Sequence, residues 1–185
     1  MIILGIDPSL SSTGLCLIND KGIIVDCMSI NHNLEDPNRL MYIYDRLLSV
    51  YLNYGPDHVA YERQVPQMRY NNSASSIVPL AELAGILKLS LLKYKSRSVY
   101  RYPPEDIKLF ATGNGKATKE DMMKAVPAKQ MKKMIALVPE WSVNDVSDAY
   151  HIANMTRQLL LSSAGVVEVN GKDFDITRYE YIKKE

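Results

Sequence analysis

The most constraining feature of this chain is its opening. Ile2-Ile3-Leu4-Gly5-Ile6 is a nearly continuous apolar run that stops at Asp7-Pro8. A run of this kind marks a strand covered on both faces, so the first strand is central in its sheet. Asp7 stands where that strand ends. A carboxylate at the end of a buried strand is costly unless something cationic compensates it.

The segments that follow build outward from this strand. Thr13–Ile18 and Ile23–Ile30 read as two further strands around Asn19-Asp20-Lys21-Gly22, which makes the opening an antiparallel meander. Asp36-Pro37-Asn38 starts a helix with Leu40, Ile43, Tyr44, Leu47, Leu48 and Tyr51 at a 3.6-residue period, closed by Gly55-Pro56. Asp57–Glu62 is a fourth strand. A polar loop from Arg63 to about Ser75 leads to a helix carrying Leu80, Leu83, Leu87 and Leu91, with Pro79 in its first turn or kinking it. Val99–Tyr102 is a fifth strand. Short helices are expected over Glu105–Ala111, Lys119–Val126 and Lys129–Leu137, and a last core helix from about Asn144 to Leu161. The tail alternates around Asn170-Gly171, a hairpin signal.

This order gives an α/β fold, with a mixed five-stranded sheet and helices packed on it. The 185 residues suit one domain with a short appendage: a domain over 1–161 and a hairpin extension over 162–185. No apolar run approaches the ~20 residues of a membrane span, and the first residues lack a basic leader. A cytoplasmic protein with no membrane partner is expected. Two cysteines and three scattered histidines exclude the usual zinc spacings, and Cys16 and Cys27 are read as buried reduced thiols.

A net charge of +1 hides an asymmetry. Ile86–Ile135 holds 12 Lys or Arg against 4 Asp or Glu, while the remainder holds 10 against 17. The basic stretch suits a polyanion, although basic residues also solvate ordinary helices. Four acids complement it. Asp7 and Glu62 end strands, and Asp145 and Asp148 project from one face at the start of the last helix. Acids gathered in this way suit two Mg²⁺ ions, with Mn²⁺ as a substitute, and two such ions serve phosphodiester hydrolysis. Asp145 and Asp148 alone would equally suit the dipole of a helix N-terminus.

Three stretches taken together resemble RuvC-type Holliday-junction resolvases of the RNase H-like, retroviral-integrase superfamily, phage-type members included. They are Ile3-Leu4-Gly5-Ile6-Asp7-Pro8-Ser9-Leu10-Ser11-Ser12-Thr13-Gly14, then Tyr61-Glu62-Arg63-Gln64-Val65, then Asn144-Asp145-Val146-Ser147-Asp148-Ala149-Tyr150-His151-Ile152-Ala153. Lys108 and the segment Gly113-Asn114-Gly115-Lys116-Ala117-Thr118-Lys119 match the family's basic region in kind and spacing.

The resemblance implies an RNase H-like sheet with helices on both faces, a homodimer, and Mg²⁺-dependent paired nicking of four-way DNA junctions or other branched DNA. Its setting would be the cytoplasm of a bacterial or phage-infected cell. It carries the metal-ligand and catalytic roles onto Asp7, Glu62, Asp145 and Asp148. It carries a DNA-phosphate role onto Lys108 and Lys119, Lys119 also as a catalytic cation, with Lys116 and Arg69 as further DNA-facing cations.

One departure stands out. The family places an aromatic soon after the second acid, where Val65-Pro66 stands here and the nearest aromatic is Tyr70. Tyr70 is open to two readings, a base-stacking residue or an ordinary loop tyrosine. His151 reads as a supporting residue behind the acids or as a simply half-buried one, and Trp141 as a cap on the start of the last helix. An RNA-directed nuclease of the same superfamily, a silent junction binder, and an actin-like or sugar-kinase ATPase share parts of the pattern. The ATPase needs a second lobe and about twice this length.

Overall fold

A computed structural model describes residues 1–63, 74–93 and 98–183. β1 (Ile2–Asp7) pairs antiparallel with β2 (Ser12–Asn19), which pairs antiparallel with β3 (Ile24–Asn31). On its other side β1 runs parallel to β4 (His58–Glu62), and β4 parallel to β5 (Ser98–Tyr102). β1 is therefore central, as its apolar run requires.

The sheet has six strands in the order β3-β2-β1-β4-β5-β8, one more than expected. β8 (Glu180–Lys183) comes from the tail and pairs antiparallel with β5. Its sequence, Glu-Tyr-Ile-Lys, is too short and polar to announce a strand. The expected hairpin is present as β6 (Val166–Val169) and β7 (Lys172–Asp175), turning at Asn170 and Gly171 with φ of 50° and 75°.

α1 (Asn38–Tyr54) and α2 (Ala74–Lys93) cover one face. Their Ile43, Leu47, Leu83 and Leu87 pack on Leu4, Ile6, Leu15 and Val59 of the sheet. Pro79 lies inside α2, past its first turn. The other face carries α3 (Pro104–Thr112), α4 (Lys119–Ala125), α5 (Ala128–Leu137) and α6 (Val143–Leu161). Cys16 and Cys27 are cross-strand partners on this face, buried and free. Burial pushes the Cys27 thiol up to about 12, so neither cysteine presents a reactive thiolate.

α6 lies directly on β1 because Gly5 has no side chain. A Cβ there would fall 2.0 Å from the Ala149 carbonyl oxygen and 2.8 Å from the Ala153 nitrogen. Contact this close fixes which turn of α6 meets the end of β1.

The tail is built into the core through α3. Phe174 is fully buried, edge-on to Phe110 with ring centres 5.3 Å apart. Asp106 is buried and held by Lys172 and by the Tyr179 hydroxyl at 2.9 Å. These contacts hold α3, which carries Lys108, against the sheet. Trp141, expected to pack at the start of the last helix, is instead 59% exposed in a short helical turn ahead of it. Among the described residues no helix is long and apolar enough to cross a membrane.

Candidate active site

Side chains on a strand alternate between faces. Ile3, Gly5 and Asp7 on β1, like Ala60 and Glu62 on β4, therefore point to the α6 side. The C-terminal ends of these two parallel strands lie next to each other, and the N-terminal turns of α6 come down over them. The result is a cavity of about 300 Å³ at the sheet rim, lined by Asp7, Glu62, Asp148, Lys108, Lys119 and Ser9, with Pro104 and Met122 as apolar walls.

The acids are electrostatically strained. Burial, then the charges of Glu62, Asp148 and Asp145, push Asp7 well above the usual carboxylate range, with Lys119 opposing. Burial and the Asp148 charge push Glu62 up to about 7 against the pull of Lys108 and Lys119. Asp148 rises to about 6, chiefly by burial, with Lys119 opposing and Asp145 adding. Two lysines do not neutralise this group, so an added cation is favoured there.

Asp145 stands apart. Its Oδ2 accepts a 2.5 Å hydrogen bond from Ser12 Oγ, and Ser12 in turn lies 2.8 Å from Ser29 Oγ. It reaches the cavity by its field and does not line it. As the side chains stand, no three carboxylate, imidazole or thiol groups among the described residues converge closely enough to hold an ion. Like charges repel, and Asp145 has a hydroxyl partner elsewhere. The donor set nevertheless fits a hard divalent cation, because every ligand offered is a carboxylate oxygen and the group carries excess negative charge.

Lys119 is the first residue of α4. Its position is set by a capping box in which Thr118 Oγ1 accepts from the Asp121 backbone at 3.2 Å and the Asp121 side chain accepts from the Thr118 backbone at 2.9 Å. His151 is buried and its Nε2 bonds the Met122 carbonyl oxygen at 2.8 Å, tying α6 to α4. Lys116 is exposed in the turn before α4 and does not line the cavity. Arg69 and Tyr70 lie outside the described residues. Ser9, Ser12 and Met122 were not singled out from the sequence. Small hydroxyls after a strand carry no distinctive signal, and only the approach of α6 and α4 gives these three a role.

A mixed sheet of this order, with carboxylates at the shared rim of β1 and β4 beneath a long helix, defines the RNase H-like class. Residues 3–156 match the model of the family Crossover junction endodeoxyribonuclease RuvC. The chain belongs to that family. The RuvC of Caldicellulosiruptor saccharolyticus is 29% identical over 173 residues, covering 90% of this chain and 96% of the relative. The solved Thermus thermophilus RuvC superposes with a TM-score of 0.62 at 24% identity, over 83% of this chain and 91% of that one. The same protein in complex with a Holliday junction substrate gives 0.62 at 20%, over 83% and 90%.

Proposed function

We propose that this chain is a divalent-metal-dependent endonuclease that resolves four-way DNA junctions by paired nicks, and that it cuts other branched DNA less readily. The observation that carries the reading is the shared cavity of Asp7, Glu62 and Asp148 with Lys108 and Lys119, in a chain whose family is named for crossover junction cleavage. The setting is the cytoplasm of a bacterial or phage-infected cell.

Asp7, Glu62 and Asp148 would hold the metal, with Asp145 joining them by leaving Ser12. Two Mg²⁺ ions, or Mn²⁺ in their place, would supply there the acidity that makes water a nucleophile at neutral pH and positive charge for a departing 3′-oxygen. The chain's own groups do the rest. Lys108 and Lys119 donate to phosphate oxygens and neutralise the charge that develops on them. Pro104 and Met122 keep the cavity partly dry, which strengthens those contacts. Lys116 and Arg69 extend the phosphate contacts along the duplex, and Tyr70 serves as a stacking residue at the crossover.

Paired nicks need two active sites. An apolar place for a second copy is a groove of about 820 Å³ between α1 and α2 lined by Leu40, Met41, Tyr44, Ile86 and Leu89. Met41 and Leu89 are 62% and 63% exposed there, and Asp45 and Lys93 at its margin can pair across a two-fold axis.

The test is incubation with synthetic four-way, Y-shaped and linear duplex DNA, and with a four-way RNA, each with Mg²⁺, Mn²⁺ and EDTA. Symmetric, ligatable nicks in the four-way DNA with either metal, and none in EDTA, are expected. Equal cutting of linear duplex, preference for RNA, or cutting in EDTA would overturn the reading.

A further inference from the structure

Close to the acidic cavity, three arginines line a second one. Arg63, Arg101 and Arg178 line this cavity, about 140 Å³, together with Pro103, Glu180 and Tyr181. Strand alternation explains the placement. On β5, Tyr100 and Tyr102 pack into the core beneath α3 and α6, while Val99 joins the core beneath α1 and α2. Arg101 follows Val99 to that face. Arg63 likewise leaves the sheet opposite Glu62. The two cavities are neighbours along the chain, since Glu62 and Pro104 line the acidic one and the adjoining Arg63 and Pro103 the basic one.

The basic cavity is held in place. The Arg63 amide donates to the Tyr102 carbonyl at 2.7 Å, and the Arg101 amide to the Tyr179 carbonyl at 2.9 Å. The Arg101 guanidinium lies over the Tyr181 ring, 4.5 Å from its centre, and Lys88 of α2 approaches the same ring at 5.9 Å. Burial pushes the Tyr61 phenol, beside Arg101, up to about 12 despite that cation, so Tyr61 stays a neutral neighbour.

Carboxylates offset the group only in part. Among the described residues none makes a salt bridge with the three arginines. Glu180, the one acid in the lining, accepts from Ser98 Oγ at 3.0 Å. Asp175, near Arg178 in sequence, accepts from Thr177 through its amide at 2.9 Å and its hydroxyl at 2.7 Å. Three arginines lining one small concavity against one carboxylate leave it net positive, and guanidinium groups are the chemistry of phosphate recognition.

We propose that Arg63, Arg101 and Arg178 form a phosphate-binding site that holds a backbone phosphate of the substrate DNA beside the strand lying over the carboxylates. The proposal rests on the nuclease reading above. Arg178, Glu180 and Tyr181 lie beyond residue 156, outside the family match, so the tail that completes the sheet also completes this site. It extends the DNA contact around the end of β5, on the side away from Lys108 and Lys119.

A small phosphorylated molecule offers the same chemistry, and the experiment separates the two sources. Binding of a four-way junction in EDTA is measured against salt for the wild type, Arg178→Ala and Arg178→Lys. Arg178 is exposed and outside the acidic cavity, so both variants should melt like the wild type. Arg178→Ala should bind about tenfold more weakly and lower the slope of log K against log salt by about one, while Arg178→Lys keeps the slope.

Junctions carrying one neutral methylphosphonate at successive positions then locate the contact. One position should weaken the wild type and have no further effect on Arg178→Ala. An unchanged slope, or methylphosphonate effects identical in both proteins, would overturn the site. So would saturation of the arginine NMR signals by inorganic phosphate below about 1 mM together with an unchanged junction slope, which would mark a small-molecule site. A wild type that neither binds nor cuts junctions would instead overturn the nuclease reading itself.

Discussion

A Cβ built on Gly14 would stand 2.1 Å from the Asp145 carbonyl oxygen. β2 and the first turn of α6 are thus in backbone contact where two of the four acids begin. With Gly5 beneath Ala149, this contact sets the height and rotation of α6, and hence whether Asp148 faces Asp7 and Glu62. Gly14→Ala must move backbone, since neither atom in the clash is a flexible side-chain end. Overpacking ordinarily costs about 1–3 kcal/mol, and this site belongs at or above the upper end. A lower melting temperature is expected, with a loss of cleavage larger than the loss of folded protein. Wild-type turnover in Gly14→Ala would show that α6 is free to shift without moving the acids.

The acids predict a pH dependence that metal reverses. Glu62 and Asp148 titrate near 7 and 6 in the fold, and Asp7 is raised as well. Between about 4 and 7 the native state therefore holds more protons than the unfolded chain, and stability falls as pH rises through that window. His151, which burial pulls below its usual 6.5, works in the opposite sense below that pH. Comparison of variants isolates the acids. In EDTA at pH 8, Asp7→Asn should be more stable than the wild type, by a margin that shrinks towards pH 4, as thermal melts will show. Saturating Mg²⁺ should stabilise the wild type more than the variant.

Much of this arrangement was legible in the residues, for reasons that separate cleanly. The β1 run, the α1 periodicity and the Asn170-Gly171 turn are local signals, and each element forms where its pattern lies. Asp7 and Glu62 were legible because a charge ending a buried strand has no ordinary explanation. What escaped depends on approach between distant segments. Gly5 and Gly14 look like any strand glycines until α6 lies on them. β8 is stabilised by the open edge of β5 and not by its own sequence. Arg178 acquires neighbours only through that pairing.

The lysines divide by position. Lys119 lines the acidic cavity and Lys116, three residues earlier, does not. Lys119→Ala should lower cleavage at saturating enzyme by about 10²-fold or more, the scale of one transition-state donor. Lys116→Ala should change only affinity and its salt slope. His151→Ala removes the bond to Met122 that holds α4. It should lower turnover in the same sense as Lys119→Ala but less steeply, and it should add little on top of Lys119→Ala. Additive losses in the double variant would detach His151 from Lys119.

The α1–α2 groove predicts an assembly. Met41→Asp together with Leu89→Asp should convert a dimer to a monomer by light scattering and abolish paired nicks, leaving single nicks. A monomeric wild type that still makes paired cuts would place the second active site elsewhere.

The hydrogen bond between Ser12 and Asp145 makes a prediction about metal that a simple four-ligand cage would not. Asp145 must leave Ser12 before it can join Asp7, Glu62 and Asp148, and a hydrogen bond to a charged acceptor is worth about 1.5–3 kcal/mol. That cost opposes metal binding. Ser12→Ala removes it, and calorimetric titration of Mg²⁺ or Mn²⁺ should find the variant binding more tightly, by about tenfold or more. Asp145→Asn should weaken metal binding less than Asp7→Asn, because the wild-type Asp145 repays part of its contribution to Ser12. Cleavage in Ser12→Ala should then reach half-maximal rate at lower Mg²⁺, with the same maximal rate. If Ser12→Ala binds metal more weakly, the serine supports the Asp145 carboxylate in its coordinating position, and the bond to Ser12 belongs to the loaded site.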